Sequence, residues 1–193
     1  EESGKKVFTI LQLRVHPTII ALRKKLIGSN IKRNIELSYI TSRGNWYFNS
    51  WKGQLDKSGG IATNIGIHFF DMLIWLFGSV IRSEVHLKQP NKMAGFFELE
   101  NAHVKWFLSI DHLDLPLDIK SKNQSTFRSI TIDGEEIEFS EGFTDLHTIV
   151  YQEILKGNGY GLMDAKPSIS LVHDIRNADT VTGGEKKHPF LKK

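Results

Sequence analysis

Residues 58–78, SGGIATNIGIHFFDMLIWLFG, constrain the fold more than any other stretch of the chain. A run this apolar needs burial on nearly every side, so Asn64, His68 and Asp71 in its middle need partners inside the protein or in a ligand. With Gly78 as a C-terminal stop, the pattern predicts a helix over 61–77. At about 100° per residue, Asn64, His68, Asp71 and Trp75 fall within about 60° of one another, giving one narrow polar stripe. The apolar stretch 65–77 is interrupted by Gly66, His68 and Asp71 and is too short to span a bilayer.

Around this helix the period alternates. VFTILQLRV (7–15) reads as a strand running into a helix over TIIALRKKLIG, with Pro17 ahead, Gly28 behind, and Ile20, Leu22 and Leu26 inward. A further strand is predicted over 34–43, then an aromatic loop, GNWYFNSWKGQLDKSGG, that either lids a pocket or packs under the sheet. Short β-rich segments at 80–88, 92–100, 102–111, 125–133 and 135–140, punctuated by Gln89-Pro90-Asn91 and Asp133-Gly134, predict an antiparallel meander. Helices are predicted over 144–157, capped by Thr144 or Asp145 and stopped by Gly157, and over 163–181, with Asp164 and Pro167 marking its start. The expected class is α/β (α+β): a mostly antiparallel open sheet with helices on one face.

The polar stripe admits three readings from the residues alone. His68 is satisfied internally, donating to Asp71 or a backbone carbonyl; or it is a proton acceptor with a partner fixing its orientation; or it binds metal. A competing cluster, His103, Asp111, His112 and Asp114, invites a divalent metal but is explained more simply by turn chemistry at a strand end. Gly59-Gly60 lacks the spacing of either phosphate-binding glycine motif, and a tight entry into the helix suffices.

Composition limits the function classes. Hydrophobic residues at 40% and charged residues at 24% describe an ordinary globular mixture. With no cysteine there is no disulfide framework, thiolate nucleophile or cysteine-ligated metal. The net charge of +3 is concentrated in the tail GGEKKHPFLKK, which reads as a mobile basic end and identifies no nucleic-acid binder. EESGKKVFTI is not a secretory signal, so the expected location is cytoplasmic, with no membrane partner.

Gly59-Gly60, Asn64, Gly66, His68 and Asp71 together resemble the hallmark segment of the Gfo/Idh/MocA oxidoreductase family. LQLRVHP, LSYITSRGNWYFNSWKG, HVKWFLSIDHLDLP and the stretch from Glu141 to Ala178 are similar to its branch that oxidises UDP-N-acetyl-glucosaminuronate at C3 of the sugar. The resemblance implies an NAD-dependent dehydrogenase in which His68 is the base or proton relay and Asn64 holds the sugar or the nicotinamide end. It makes Arg14 and Arg43 candidates for the uronate carboxylate or diphosphate, Asp71 a possible support, and no residue a metal ligand. Many family members carry Asp where Asn64 stands, and an amide lacks the charge that would raise imidazole basicity.

Full-length relatives also carry a Rossmann domain with a glycine-rich turn and a Glu-Lys-Pro motif, absent from this sequence; Glu185-Lys186 is followed by Lys187. The expected division is a remnant of the last Rossmann strand (1–15), a substrate and oligomerisation domain (16–182) and a basic tail (183–193). A truncated chain of this kind is expected to bind no NAD and to be inactive alone, and to form a homodimer or homotetramer through the β-sheet. The rival readings are a non-catalytic sugar-nucleotide-binding or scaffolding domain, and a metal-dependent isomerase or hydrolase using His68, His103 and His112.

Overall fold

The computed structural model of the protein describes residues 3–29, 31–137 and 144–191. Residues 7–15 do not form the expected strand. Thr9 makes an isolated bridge to Tyr160, and Gln12–Val15 is a 3-10 turn. An apolar pattern yields a strand only where another strand offers a ladder, and among the described residues none comes alongside beyond that one bridge. Helix α1 (Pro17–Leu26) follows, begun by the His16 ring, which accepts from the Thr18 N–H. Its fully buried residue is Ile19; Ile20, expected inward, is exposed.

Strand β1 (Arg33–Thr41) leads through two short helices, α2 (Asn45–Asn49) and α3 (Leu55–Ser58), into a π-helical turn (Ala62–Gly66) continuous with α4 (Ile67–Phe77). By length and composition the 23-residue helical run Leu55–Phe77 would be long enough to cross a membrane, but here it is the core helix. Beyond it come β2 (Val80–Lys88), β3 (Lys92–Leu99), β4 (Ala102–Ser109), α5 (Leu117–Ser121), β5 (Thr126–Ile132), β6 (Glu135–Glu136), α6 (Leu146–Leu155) and α7 (Leu162–Asn177).

The sheet has six strands in the order β2-β3-β4-β1-β5-β6. The predicted meander is present, but it is interrupted: β1 inserts between β4 and β5, parallel to β4 and antiparallel to β5. The α4 crossover carries the chain to the far edge of the sheet, and two hairpins bring it back. Asp133 (φ 52°) and Gly134 (φ 87°) make the left-handed pair that a two-residue hairpin turn requires. Of the strand expected over 135–140, residues 138–140 lie outside the described residues. Asp145, in left-handed conformation before α6, makes no side-chain cap bond, and Pro167 sits in the second turn of α7 rather than its first.

One sheet face is packed by α4 and α7. Phe70 of α4 meets Phe97 and Trp106 edge-on, both at 5.3 Å, inside a core that includes Ile35, Leu37, Leu73, Phe77, Val104 and Leu108. Two glycines permit this closeness. A Cβ on Gly95 would stand 2.3 Å from the Glu84 carbonyl and 2.7 Å from the Trp106 ring; one on Gly66 would stand 2.8 Å from both Leu108 and Phe70.

The other face carries a smaller cluster, Ile40, Ala94, Phe107 and Leu115, covered by α5 and by the C-terminal segment. The tail expected as a mobile end is instead a strap as far as Leu191. His188 is 1% exposed with its Nε2 3.2 Å from Ser38 Oγ, and Phe190 stacks on Phe107 at 5.1 Å. Phe107 lies on this second face of β4, and the apolar ring gathers both the His188 imidazole and the Phe190 ring of the tail.

Candidate active site

The π-turn and the first turns of α4 place Asn64 and His68 on one line, and single-turn π segments of this kind often accompany functional positions. Asn64 Nδ2 donates to the Tyr47 hydroxyl at 3.3 Å, which leaves the Asn64 carbonyl oxygen free of that contact. The aromatic loop is thus divided. Tyr47 is buried at 3% exposure beside the stripe, while Trp46, Phe48 and Trp51 face outward, with Lys52 6.0 Å from both indoles.

His68 is partly buried, and its Nδ1 lies 3.2 Å from the Gln12 carboxamide. Burial pushes its pKa below the ordinary 6.5; Asp71 pulls it upward and His147 pushes it further down. The ring is therefore neutral at pH 7, the form a base requires. Internal satisfaction offered His68 either Asp71 or a backbone carbonyl; the side chain it meets is Gln12.

Asp71 belongs to Arg14. Arg14 Nε and Nη2 donate to the two carboxylate oxygens at 2.9 and 2.8 Å, Ser168 Oγ adds a bond at 3.2 Å, and Arg14 Nη2 also donates to the Asp164 carbonyl at 2.9 Å. Arg14 is 5% exposed and Asp71 3%, and the guanidinium lies 4.9 Å from the Tyr160 ring centre. Arg14 was expected to grip the substrate; in this structure its Nε and Nη2 are taken up by Asp71 in a buried bidentate pair. Asp71 and Arg14 pin α4 to the Gln12–Val15 turn and to α7. At the end of the stripe, Trp75 is covered by Arg23 at 3.8 Å.

Arg43 stands elsewhere, past the end of β1. It lines a cleft of about 780 Å³ with Tyr39, Thr41, Ser125 and Arg128, whose lining does not include His68 or Asn64. Its Nε is buried without a hydrogen-bond partner among the described residues. Tyr39 links this cleft to α4 by packing on Phe69 at 4.9 Å.

The histidines of the metal reading are dispersed. His103 lies on the outer sheet face, 3.5 Å from Glu98 and against Phe96, and His112 is exposed in the turn after β4. Asp111 accepts from the Leu113 N–H and Asp114 accepts from Lys92 and Ser109, as turn chemistry requires. Among the described residues no three His, Asp or Glu gather as metal ligands.

Nor do the glycines offer a dinucleotide cradle. Gly59 (φ 74°) and Gly60 (φ 78°) form a tight turn into the π segment, and a Cβ on Gly59 would stand 2.5 Å from Thr63 Oγ1, which donates back to the Gly59 carbonyl. Both glycines line a cavity of about 530 Å³ with Tyr47, Lys52, Met93 and Arg176, but they lack the glycine spacing of a dinucleotide-binding turn.

The family model described as the C-terminal alpha/beta domain of the Gfo/Idh/MocA oxidoreductase family matches residues 24–109. The WlbA (WbpB) dehydrogenase from Thermus thermophilus, solved in complex with NAD and alpha-ketoglutarate, is 49% identical with a TM-score of 0.94 over 98% of this chain and 62% of that one. This chain carries a Gfo/Idh/MocA-type C-terminal domain. The same Thermus enzyme in complex with NAD and UDP-GlcNAcA aligns at 48% identity and a TM-score of 0.93 over 98% of this chain and 61% of that one. The WlbA dehydrogenase from Bordetella pertussis, at 19% identity and a TM-score of 0.69 over 91% of this chain and 63% of that one, shares the fold. This Gfo/Idh/MocA domain therefore spans about 62% of the length of its Thermus relative. Four members of its site were not singled out from the sequence: Gln12, Tyr47, His147 and Ser168. All four stand inside segments that carry the resemblance: Gln12 in LQLRVHP, Tyr47 in LSYITSRGNWYFNSWKG, and His147 and Ser168 between Glu141 and Ala178.

Proposed function

We propose that this domain is the substrate-binding and oligomerisation part of an NAD-dependent dehydrogenase acting at the C3 hydroxyl of a UDP-N-acetyl-glucosaminuronate-like nucleotide sugar. The observation that carries the reading is a neutral, partly buried His68 one turn from Asn64, in a chain 48% identical to an enzyme crystallised with NAD and UDP-GlcNAcA. His68 takes the hydroxyl proton. Asn64, held by Tyr47 through its amide nitrogen, uses its carbonyl oxygen to orient a sugar hydroxyl. Arg14 and Asp71 keep the stripe in place without touching the sugar, and Arg43 is the arginine we assign to an anionic group of the substrate. NAD, when bound by a nucleotide-binding domain, supplies the acceptor for the hydride. A homodimer or homotetramer forms through the sheet.

Calorimetric titration of the 193-residue chain with UDP-N-acetyl-glucosaminuronate tests this reading. Saturable binding, weakened at least tenfold by Asn64→Ala, is expected, with no NADH formed when NAD is added. Absence of binding, or turnover by these residues alone, would overturn it.

A further inference from the structure

A neutral imidazole carries one proton, and which nitrogen holds it decides whether His68 can act as a base. With the Gln12 amide nitrogen 3.2 Å from Nδ1, the ring proton must sit on Nε2, and His68 has no nitrogen left to accept another from a ligand. In that orientation the Gln12 carbonyl oxygen is buried without a hydrogen-bond partner among the described residues. The oxygen and nitrogen of a carboxamide exchange places by a half-turn that occupies the same volume. After the half-turn the oxygen lies where the nitrogen was, within reach of a proton on Nδ1.

We infer that Gln12 is a positioning residue for the reaction proposed above: its carboxamide oxygen accepts from His68 Nδ1–H, leaving Nε2 unprotonated to receive the proton of a substrate hydroxyl. Nε2 has no hydrogen-bond partner among the described residues and is not one of the buried orphan atoms, so it is open to a ligand. The other ionisable groups that act on the ring are Asp71 and His147. Asp71 is already held by Arg14 and Ser168, so it does not compete for Nδ1. Gln12 comes from the turn that Arg14 anchors to α4 two residues later, which fixes the distance between the carboxamide and the ring. The half-turn moves the amide N–H groups to the buried side, and the two orientations place the ring proton on different nitrogens.

The ring proton is read directly by nitrogen-15 NMR of histidine-labelled protein above the His68 titration midpoint, with His68→Gln assigning its signals among the eight histidines. The expected spectrum has Nδ1 protonated and Nε2 bare. Gln12→Glu, whose carboxylate only accepts, keeps that tautomer and raises the midpoint; Gln12→Met, which fills the space without an acceptor, shifts the ring toward the Nε2–H form of free histidine. Nε2–H in the unmodified protein overturns the inference, as does an Nδ1–H signal that Gln12→Met leaves unchanged. Should Gln12→Met fail to fold, a Gln12→Glu variant with an unraised midpoint overturns it equally. The measurement needs neither substrate nor cofactor, so failure of the proposed dehydrogenase activity and failure of this inference are separately visible.

Discussion

Removing one member of the Arg14–Asp71 pair leaves the other charge buried with its hydrogen bonds unmade. Asp71→Ala is therefore expected to cost about 3–5 kcal/mol in urea unfolding, and the double variant Arg14→Met with Asp71→Leu much less than the sum of the singles. Protonation gives a second prediction at this scale. His188 is held at a pKa of about 3, by burial first and by Lys105 second, against 6.5 when unfolded. Between those values the unfolded chain binds a proton that the folded chain refuses, so stability falls as pH drops below about 6.5; His68, also lowered, acts in the same direction. The His188 contribution amounts to about 2 kcal/mol between pH 7 and pH 5. His188→Phe is expected to flatten that part of the stability profile, measured by urea unfolding at the two pH values. The sequence carried the identities of Asn64, His68 and Asp71 because helical spacing alone puts them on one stripe. It did not show the pairing of Arg14 with Asp71, because arginine suits any carboxylate and the one it meets lies 57 positions away.

Helix α4 and the β2–β3–β4 hairpins follow from local pattern and turn chemistry, and they were legible. The insertion of β1 beside β4 was not, since a strand's apolar alternation specifies which face is buried but not which strand lies next to it. The π segment was also invisible, being one wide turn inside an otherwise helical pattern. Its last residue, Gly66, lies against Leu108 and Phe70 with no room for a methyl group. Gly66→Ala is expected to destabilise the protein by about 1–3 kcal/mol and to displace the His68 ring resonances, since strain there falls between Asn64 and His68. Thermal unfolding and the imidazole NMR signals check both parts. Unchanged His68 signals in a destabilised Gly66→Ala protein would separate the site from the packing beneath it.

At the scale of the whole molecule, two surfaces divide the work. The α4 side presents His68 and Asn64, while the outer sheet face carries the C-terminal strap on Phe107 and an ionic row in which Glu98 meets Lys32, Arg82 and His103. The strap was missed because a short basic tail reads as solvated, although its His188 and Phe190 complete an aromatic stack. The central claim is that His68 accepts a proton from a nucleotide sugar. Its most direct test joins this chain to the NAD-binding domain of the Thermus relative and follows NADH formation with UDP-N-acetyl-glucosaminuronate. Turnover is expected to fall roughly 10²–10⁴-fold in His68→Ala, with an acid limb below the ordinary histidine range because burial lowers the His68 pKa. A folded, NAD-binding fusion whose turnover is the same with and without His68 would contradict it.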